Sequence, residues 1–364
     1  MHDGSPNAGL TVAVTGANGF IGRRLVEMLA ERQGRGIGEL RALVRRSKRA
    51  GSLPGTTVKV VALRLDDGAA LREALEGCDA VVHCAFDFDD MAANLPILRA
   101  LATACAATGT RLVHISSAAV YEPFPEGELD ETTPAKPSGV PYRDAKIALE
   151  AEIRDLVRCG GLKAVILQPT AVYGPFGRAW TEAPIRDLLT GKVVLPDHGL
   201  GVCNPLYIDD LCQAAIAALD AKVPPGEHFL ISGPNAVFWR DFLGAYQAIL
   251  GVDSLRYRPY AELAGDGGGA SGHPTSRLKQ ALRRALGGVF DHEARAKLKT
   301  WLQRAKAGRS DIVHLPSAPQ LALYSARCTV RIDKARRLLN YAPVFDLERG
   351  MAATVPFIRS RFAR

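Results

Sequence analysis

An α/β fold, a doubly wound parallel sheet followed by a smaller C-terminal α+β domain, is predicted by three observations. Strand and helix signals alternate through the first 170 residues, the strand candidates are short continuous apolar runs, and the pattern loosens after about residue 170. Residues 10–15 read as a short buried strand, and residues 20–31 as a helix with Ile21, Leu25, Met28 and Leu29 on one face. Residues 40–44 and 58–63 are the next strands, with a helix at 69–76. Apolar strands follow at 80–84 and 112–115, with a helix at 95–107 between them; a helix at 144–157 and a buried strand at 164–167 complete the series. Repeated βα units of this kind require a parallel sheet covered by helices on both faces, with ligands at the carboxyl ends of the strands.

The boundaries that follow are 8–170 for the sheet domain and 171–364 for a mainly substrate-capping domain, some of whose segments return to the sheet. Within the second region the glycine run at 265–272 reads as a flexible hinge. It opens an insertion at about 265–310 that is expected to be mobile, basic and helical, with helical stretches at 276–286 and 291–307. A substrate lid, a partner-binding helix pair, a lipid-facing surface and a solvated charged face are the readings open for 276–307. No internal repeat is present.

The net charge of +8 would suit an acidic partner, but much of the excess lies in residues 41–49 and 277–309, and no nucleic-acid partner is expected. No run of 18 or more apolar residues argues for an integral membrane segment, and Met1–Ser5 lacks a signal-peptide pattern, so a cytoplasmic location is the expectation. The seven cysteines form no CxxC pair and the histidines show no ligand spacing, so neither disulfides nor a metal site is predicted.

The first βα junction carries Thr15-Gly16-Ala17-Asn18-Gly19-Phe20-Ile21-Gly22. Gly16 permits a tight turn, Gly19 lets the backbone approach a pyrophosphate, and Gly22 allows close helix–strand packing. The helix start then offers free N–H groups to that phosphate. Strand, loop and helix in this order are the context that makes the motif a dinucleotide site of the Rossmann type. The second strand ends in Val44-Arg45-Arg46, without the acidic residue that would accept the ribose hydroxyls of NAD. Two guanidiniums suit the 2′-phosphate of NADP, so NADP is expected and NAD is the less favoured cofactor.

Tyr142 and Lys146 are spaced i, i+4 at the start of a helix and project from one face. A tyrosine is a poor base at neutral pH, but a nearby ammonium favours its phenolate. Ser117, at the end of a strand, is placed to hydrogen-bond a substrate oxygen. The three together predict proton transfer by Tyr142 coupled to hydride transfer at a carbonyl or alcohol carbon.

On these residues the chain resembles the extended short-chain dehydrogenase/reductases, also labelled NAD-dependent epimerase/dehydratases. The likeness includes the loop at 15–22, Val81-Val82-His83-Cys84-Ala85, Ile115-Ser116-Ser117-Ala118-Ala119-Val120-Tyr121, and Tyr142 to Lys146 with Glu150. It continues through Pro169-Thr170-Ala171-Val172-Tyr173-Gly174-Pro175, Tyr207-Ile208-Asp209-Asp210-Leu211 and the stretch from Asp333 to Pro343. The resemblance implies catalytic roles for Ser117, Tyr142 and Lys146, with Lys146 also holding the nicotinamide ribose. It implies backbone contacts to the cofactor at Ala85 and Pro169, an adenine cover at Leu65, and a homodimer. Asn94 matches a frequent family asparagine and reads as a helix cap.

Several positions depart from the family pattern. Arg64 stands where an acidic residue is usual on the adenine side, with Asp66 as its nearest substitute. Ala118 and Ala119 replace the acid pair of the sugar dehydratases, and Ala171 and Cys203 replace polar groups that grip a sugar-nucleotide diphosphate. A desolvated diphosphate needs such partners. The expected function is therefore an NADP(H)-dependent oxidoreductase acting on a small carbonyl or alcohol substrate. The alternatives are a nucleotide-sugar epimerase with tightly bound cofactor and, from another class, a non-catalytic NADP-sensing regulator.

Overall fold

The computed structural model describes residues 9–45, 58–266 and 315–362. Arg46 and the basic stretch 276–307 lie outside the described residues. The main sheet is built from β1 (Leu10–Thr15), β2 (Ile37–Val44), β3 (Val58–Ala62), β4 (Ala80–His83), β5 (Arg111–Ile115), β7 (Ala164–Pro169) and β12 (Glu227–Ile231). A short strand, β6 (Gly127–Leu129), lies outside it. The seven strands are ordered β12-β7-β5-β4-β1-β2-β3 and every pairing is parallel. The chain winds outward from β1 to β3, then returns to β4 and winds the other way. The reversal falls between β1 and β4, which is where a doubly wound sheet opens a crevice at its carboxyl edge.

Both faces of the inner strands β1, β4, β5 and β7 are buried, which is why they read as apolar runs, whereas the edge strand β3 is largely exposed. Val12, Val14, Val82, Val113 and Val165 pack with Leu25, Val26 and Leu29 of α1 (Phe20–Ala30) and with Leu211 and Ala214 of α6 (Ile208–Ala217). The alternate residues Ala13, Val81, Leu112 and Ala164 meet α2 (Gly68–Leu75), α3 (Asn94–Thr108) and α4 (Pro141–Arg158). By length and composition the stretch Met91–Thr108 is apolar enough to cross a membrane. In the fold its helix, α3, packs against α2 and α4 and buries Leu98, Leu101 and Cys105.

Two boundaries differ from the sequence reading for identifiable reasons. Strand β2 begins at Ile37 because the backbones of Gly9 and Gly38 touch; a Cβ on Gly38 would lie 2.7 Å from the Gly9 carbonyl oxygen. Helix α4 begins at Pro141, a residue suited to a first helical turn, and so contains Tyr142. The Asp144 carboxylate accepts the N–H groups of Ser138 and Gly139 and holds the loop that leads into it.

The second half supplies α5 (Ala183–Leu189), α7 (Trp239–Leu250), α8 (Tyr260–Asp266) and short strand pairs. These are β8 (Ala171–Tyr173) with β11 (Pro205–Tyr207), β9 (Val194–Pro196) with β14 (Arg256–Arg258), and β10 (Val202–Cys203) with β13 (Val237–Phe238). Strand β15 (Cys328–Val330) pairs with β6, and α9 (Ala318–Ser325), α10 (Asp333–Leu339) and α11 (Leu347–Phe362) follow the chain to its end. The fully buried Asp210 accepts the N–H groups of Val344 and Phe345, while Arg24 grips Asp209 through two hydrogen bonds of 2.7 and 2.9 Å. These contacts fix α6, α1 and the C-terminal segment to one another.

Candidate active site

At the β1–α1 junction Gly16 adopts φ +66°, and a Cβ there would lie 2.8 Å from the Ala85 nitrogen. Only glycine lets the turn approach β4 this closely. A Cβ on Gly22 would lie 2.3 Å from the Gly16 carbonyl oxygen, so that glycine is fixed by helix-to-loop packing. Gly19 precedes the first turn of α1; no side chain caps the helix and no acidic residue lies in its first turn. The helix therefore presents unanswered N–H groups and partial positive charge at the crevice, which fits a dinucleotide pyrophosphate. Asn18 and Gly19 are exposed on this loop, and Phe20 and Ile21 are half-buried.

Thr15 ties the two central strands: its Oγ1 lies 2.7 Å from His83 Nδ1 and accepts the Ala85 N–H at 3.4 Å. Ala85 is thereby held against the glycine turn. Pro169 is buried at the carboxyl end of β7, opposite Ile231, and Leu65 is half-buried beyond β3. Arg45 projects from the end of β2 with its side chain 77% exposed and Nη2 3.7 Å from the Asp87 carboxylate. That exposure leaves the guanidinium free to turn to a phosphate. Arg64 and Asp66 are engaged with each other at 2.5–2.9 Å.

Ser117 follows β5, and its Oγ accepts the Ala119 N–H at 3.2 Å. The Tyr142 phenol lies close enough to the Ser117 hydroxyl to feel it electrostatically. Burial raises the phenol's pKa, the neighbouring Ser117 hydroxyl opposes that rise, and the nearby Glu122 charge adds to it. Lys146 is 4% exposed, and its ammonium donates to the Ile115 carbonyl at 2.9 Å. Burial pushes its pKa down to about 8, against the pull of Glu150 and Cys84. Ser117, Tyr142 and Lys146 are thus brought together. The i, i+4 spacing suggests an ammonium acting on the phenolate; the protein instead directs that ammonium to a strand carbonyl, and burial governs the phenol.

Other groups around the site escaped sequence reasoning. Phe86 lies edge-on to Tyr142, with centroids 5.5 Å apart, and its ring sits 4.3 Å from Lys146 Nζ. Phe88 stacks nearly parallel to Tyr142 at 5.8 Å. Asn94 is buried and acts as a loop clamp rather than a cap. It accepts the Asp87 N–H at 2.8 Å and donates to the carbonyls of Asp87, Asp90 and Met91. Glu150, one turn beyond Lys146, accepts from Ser116 at 2.5 Å, from Gln168 at 2.9 and 3.1 Å and from Arg154 at 2.8 Å. Glu122 and Arg143 form a nearly buried ion pair beside the phenol. The only signal for the aromatic cluster was the alternation of Phe86 and Phe88 just past β4.

Known proteins give this geometry a context. The family model described as NAD dependent epimerase/dehydratase matches residues 12–232. A 4-hydroxy-2-methyl-3-oxo-4-farnesyl-3,4-dihydroquinoline-1-oxide ketoreductase of Stigmatella aurantiaca is 26% identical, over 93% of this chain and 94% of its own. A 3-diazoavenalumate denitrifying reductase from a Streptomyces species is 32% identical over 69% of this chain and 85% of its own. In fold, the chain resembles the dTDP-glucose 4,6-dehydratase of Bacillus anthracis solved in complex with NAD. That match has a TM-score of 0.69 and 17% identity, and covers 97% of each chain.

Proposed function

The chain belongs to the NAD dependent epimerase/dehydratase family, and from that premise we propose that it is a net oxidoreductase that reduces a small carbonyl compound to its alcohol with NADPH. The observation that carries the proposal is the gathering of Ser117, Tyr142 and buried Lys146 around Phe86, in a fold whose crevice opens beside the Gly16–Gly22 turn. A bound nicotinamide dinucleotide supplies the hydride. The protein's own groups do the rest. Ser117 holds the substrate oxygen, and Tyr142 delivers the proton to it. A phenol whose pKa is raised by burial stays protonated at neutral pH, which suits a proton donor and hence the reductive direction. Lys146 is fixed by its hydrogen bond to Ile115 and carries charge at neutral pH, so it would hold the cofactor's ribose.

The surroundings support reduction over the other chemistries of the family. Ala118 is buried and Ala119 half-buried immediately after Ser117, so no acid–base pair for elimination stands there. Cys203 is buried against β13 and Ala171 opens β8, so neither supplies a charge to a diphosphate. Two relatives carry reductase names. Arg45, exposed at the end of β2 where no carboxylate follows Val44, supports NADP over NAD. A homodimer belongs to the same proposal and is tested by light scattering.

The test is Tyr142→Phe. Turnover, followed by the absorbance of reduced nicotinamide, is expected to fall by about a thousandfold, while thermal protection by NADPH stays unchanged. Activity retained by that variant refutes the mechanism. Nicotinamide absorbance that copurifies and never exchanges would favour the epimerase alternative on a nucleotide sugar.

A further inference from the structure

Resting on the reductase reading, we infer that the substrate is an uncharged, flat ring ketone that packs against the exposed surface of Phe88 with its carbonyl reaching past the ring's edge to Tyr142. Phe88 is 68% exposed, an unusual state for a phenyl ring beside a catalytic phenol. It stacks at 16° to Tyr142 and meets Phe86 at 64° with centroids 4.8 Å apart, so three rings form one apolar wall next to the proton donor.

The ring is presented rather than loose. Its loop is clamped by the four Asn94 hydrogen bonds, and Asp87 Oδ1 accepts the N–H groups of Asp89 and Asp90 at 3.0 Å just after the ring. A planar aromatic substrate gains an offset-stacked contact with such a ring and loses little rotor freedom, whereas an open chain loses more and covers it less.

The charges around the wall select a neutral ligand. Among the described residues, the cations nearest Tyr142 are committed: Lys146 donates to Ile115 and Arg143 pairs with Glu122. Glu122 is the other half of that ion pair, so the pair offers no net positive charge to an anionic substrate. A phosphate or carboxylate at this wall would meet no uncommitted cation among the described residues, since Arg45, which reaches Asp87 from the end of β2, is assigned to the cofactor's phosphate.

The experiment compares tetralone, a flat bicyclic ketone, with open-chain octanone in the wild-type protein and in Phe88→Ala and Phe88→Tyr. The expected KM for tetralone lies well below that for octanone, rises about tenfold in Phe88→Ala at nearly unchanged kcat, and returns in Phe88→Tyr. Equal KM values for the two ketones in the wild type, or an equal rise for both in Phe88→Ala, overturn the inference. Binding is read separately by the thermal shift that tetralone gives to NADPH-loaded Tyr142→Phe. Protection that disappears when Phe88→Ala is added supports the stacking site, and no protection in the parent overturns it. Protection without wild-type turnover of either ketone refutes the reductase reading instead, and leaves Phe88 as a ring-binding residue.

Discussion

Replacing Lys146 by methionine is expected to inactivate the protein and to make it more stable. Folding takes the ammonium from water into a site that is 4% exposed and lowers its pKa from 10.5 to about 8. That drop corresponds to about 3 kcal/mol by which the fold disfavours the charge at neutral pH. Methionine keeps most of the length without the charge, and the lost hydrogen bond to Ile115 removes about 1 kcal/mol of the gain. The net expectation is a stabilisation of about 2 kcal/mol at pH 7, or a rise of about 3 °C in Tm. The sign of the pH dependence follows from linkage. Below about pH 8 the lysine is charged both folded and unfolded, so the full penalty is present. Between about 8 and 10.5 the folded protein sheds the proton first, the unfolded chain binds more protons, and wild-type stability climbs relative to the variant. Thermal unfolding of both proteins at pH 7 and pH 10 measures this, and the gap should largely close at the higher pH. A variant less stable than wild type at pH 7, or a gap that ignores pH, refutes the reasoning.

Two further outcomes follow from named contacts. Asn94→Ala removes a buried side chain that satisfies three carbonyls and one N–H of the loop carrying Phe88; a loss of about 2 kcal/mol by denaturant midpoint and a raised substrate KM are expected, and an unchanged midpoint would show the clamp to be idle. Arg45→Ala should weaken NADP about tenfold while leaving NAD unaffected, measured by calorimetric titration; equal effects on both cofactors would remove Arg45 as the reader of the phosphate.

The sheet was legible because its inner strands are buried on both faces, so 10–15, 80–84 and 164–167 stand out as apolar runs whatever surrounds them. The glycine turn was legible because its geometry leaves glycine no substitute at 16 and 22. Spacing put Tyr142 and Lys146 on one helix face, and Ser117 joined them through its place at a strand end and the family resemblance. Neither revealed where the ammonium points, because the Ile115 carbonyl comes from another element and burial depends on the whole assembly. The same holds for Asn94, whose partners become neighbours only when residues 87–91 fold back over it, and for β6 and β15, which are three residues each and exist only by pairing across the chain. The starts of β2 and α4 lie three residues earlier than the sequence reading placed them, where a close backbone approach at Gly38 and a first-turn proline at Pro141 are accommodated.

Strand β12 has a consequence for how the polypeptide can be cut. It comes from beyond residue 170 yet supplies the outermost rung of the main sheet, hydrogen-bonded along β7 from Val165 to Pro169. A fragment ending at 170 would bare the flank of β7, a fully buried apolar ladder and a template for intermolecular pairing. Such a fragment should precipitate rather than fold as a cofactor-binding piece, and the intact protein should melt in one step. The catalytic half is finished only when the other half has been made.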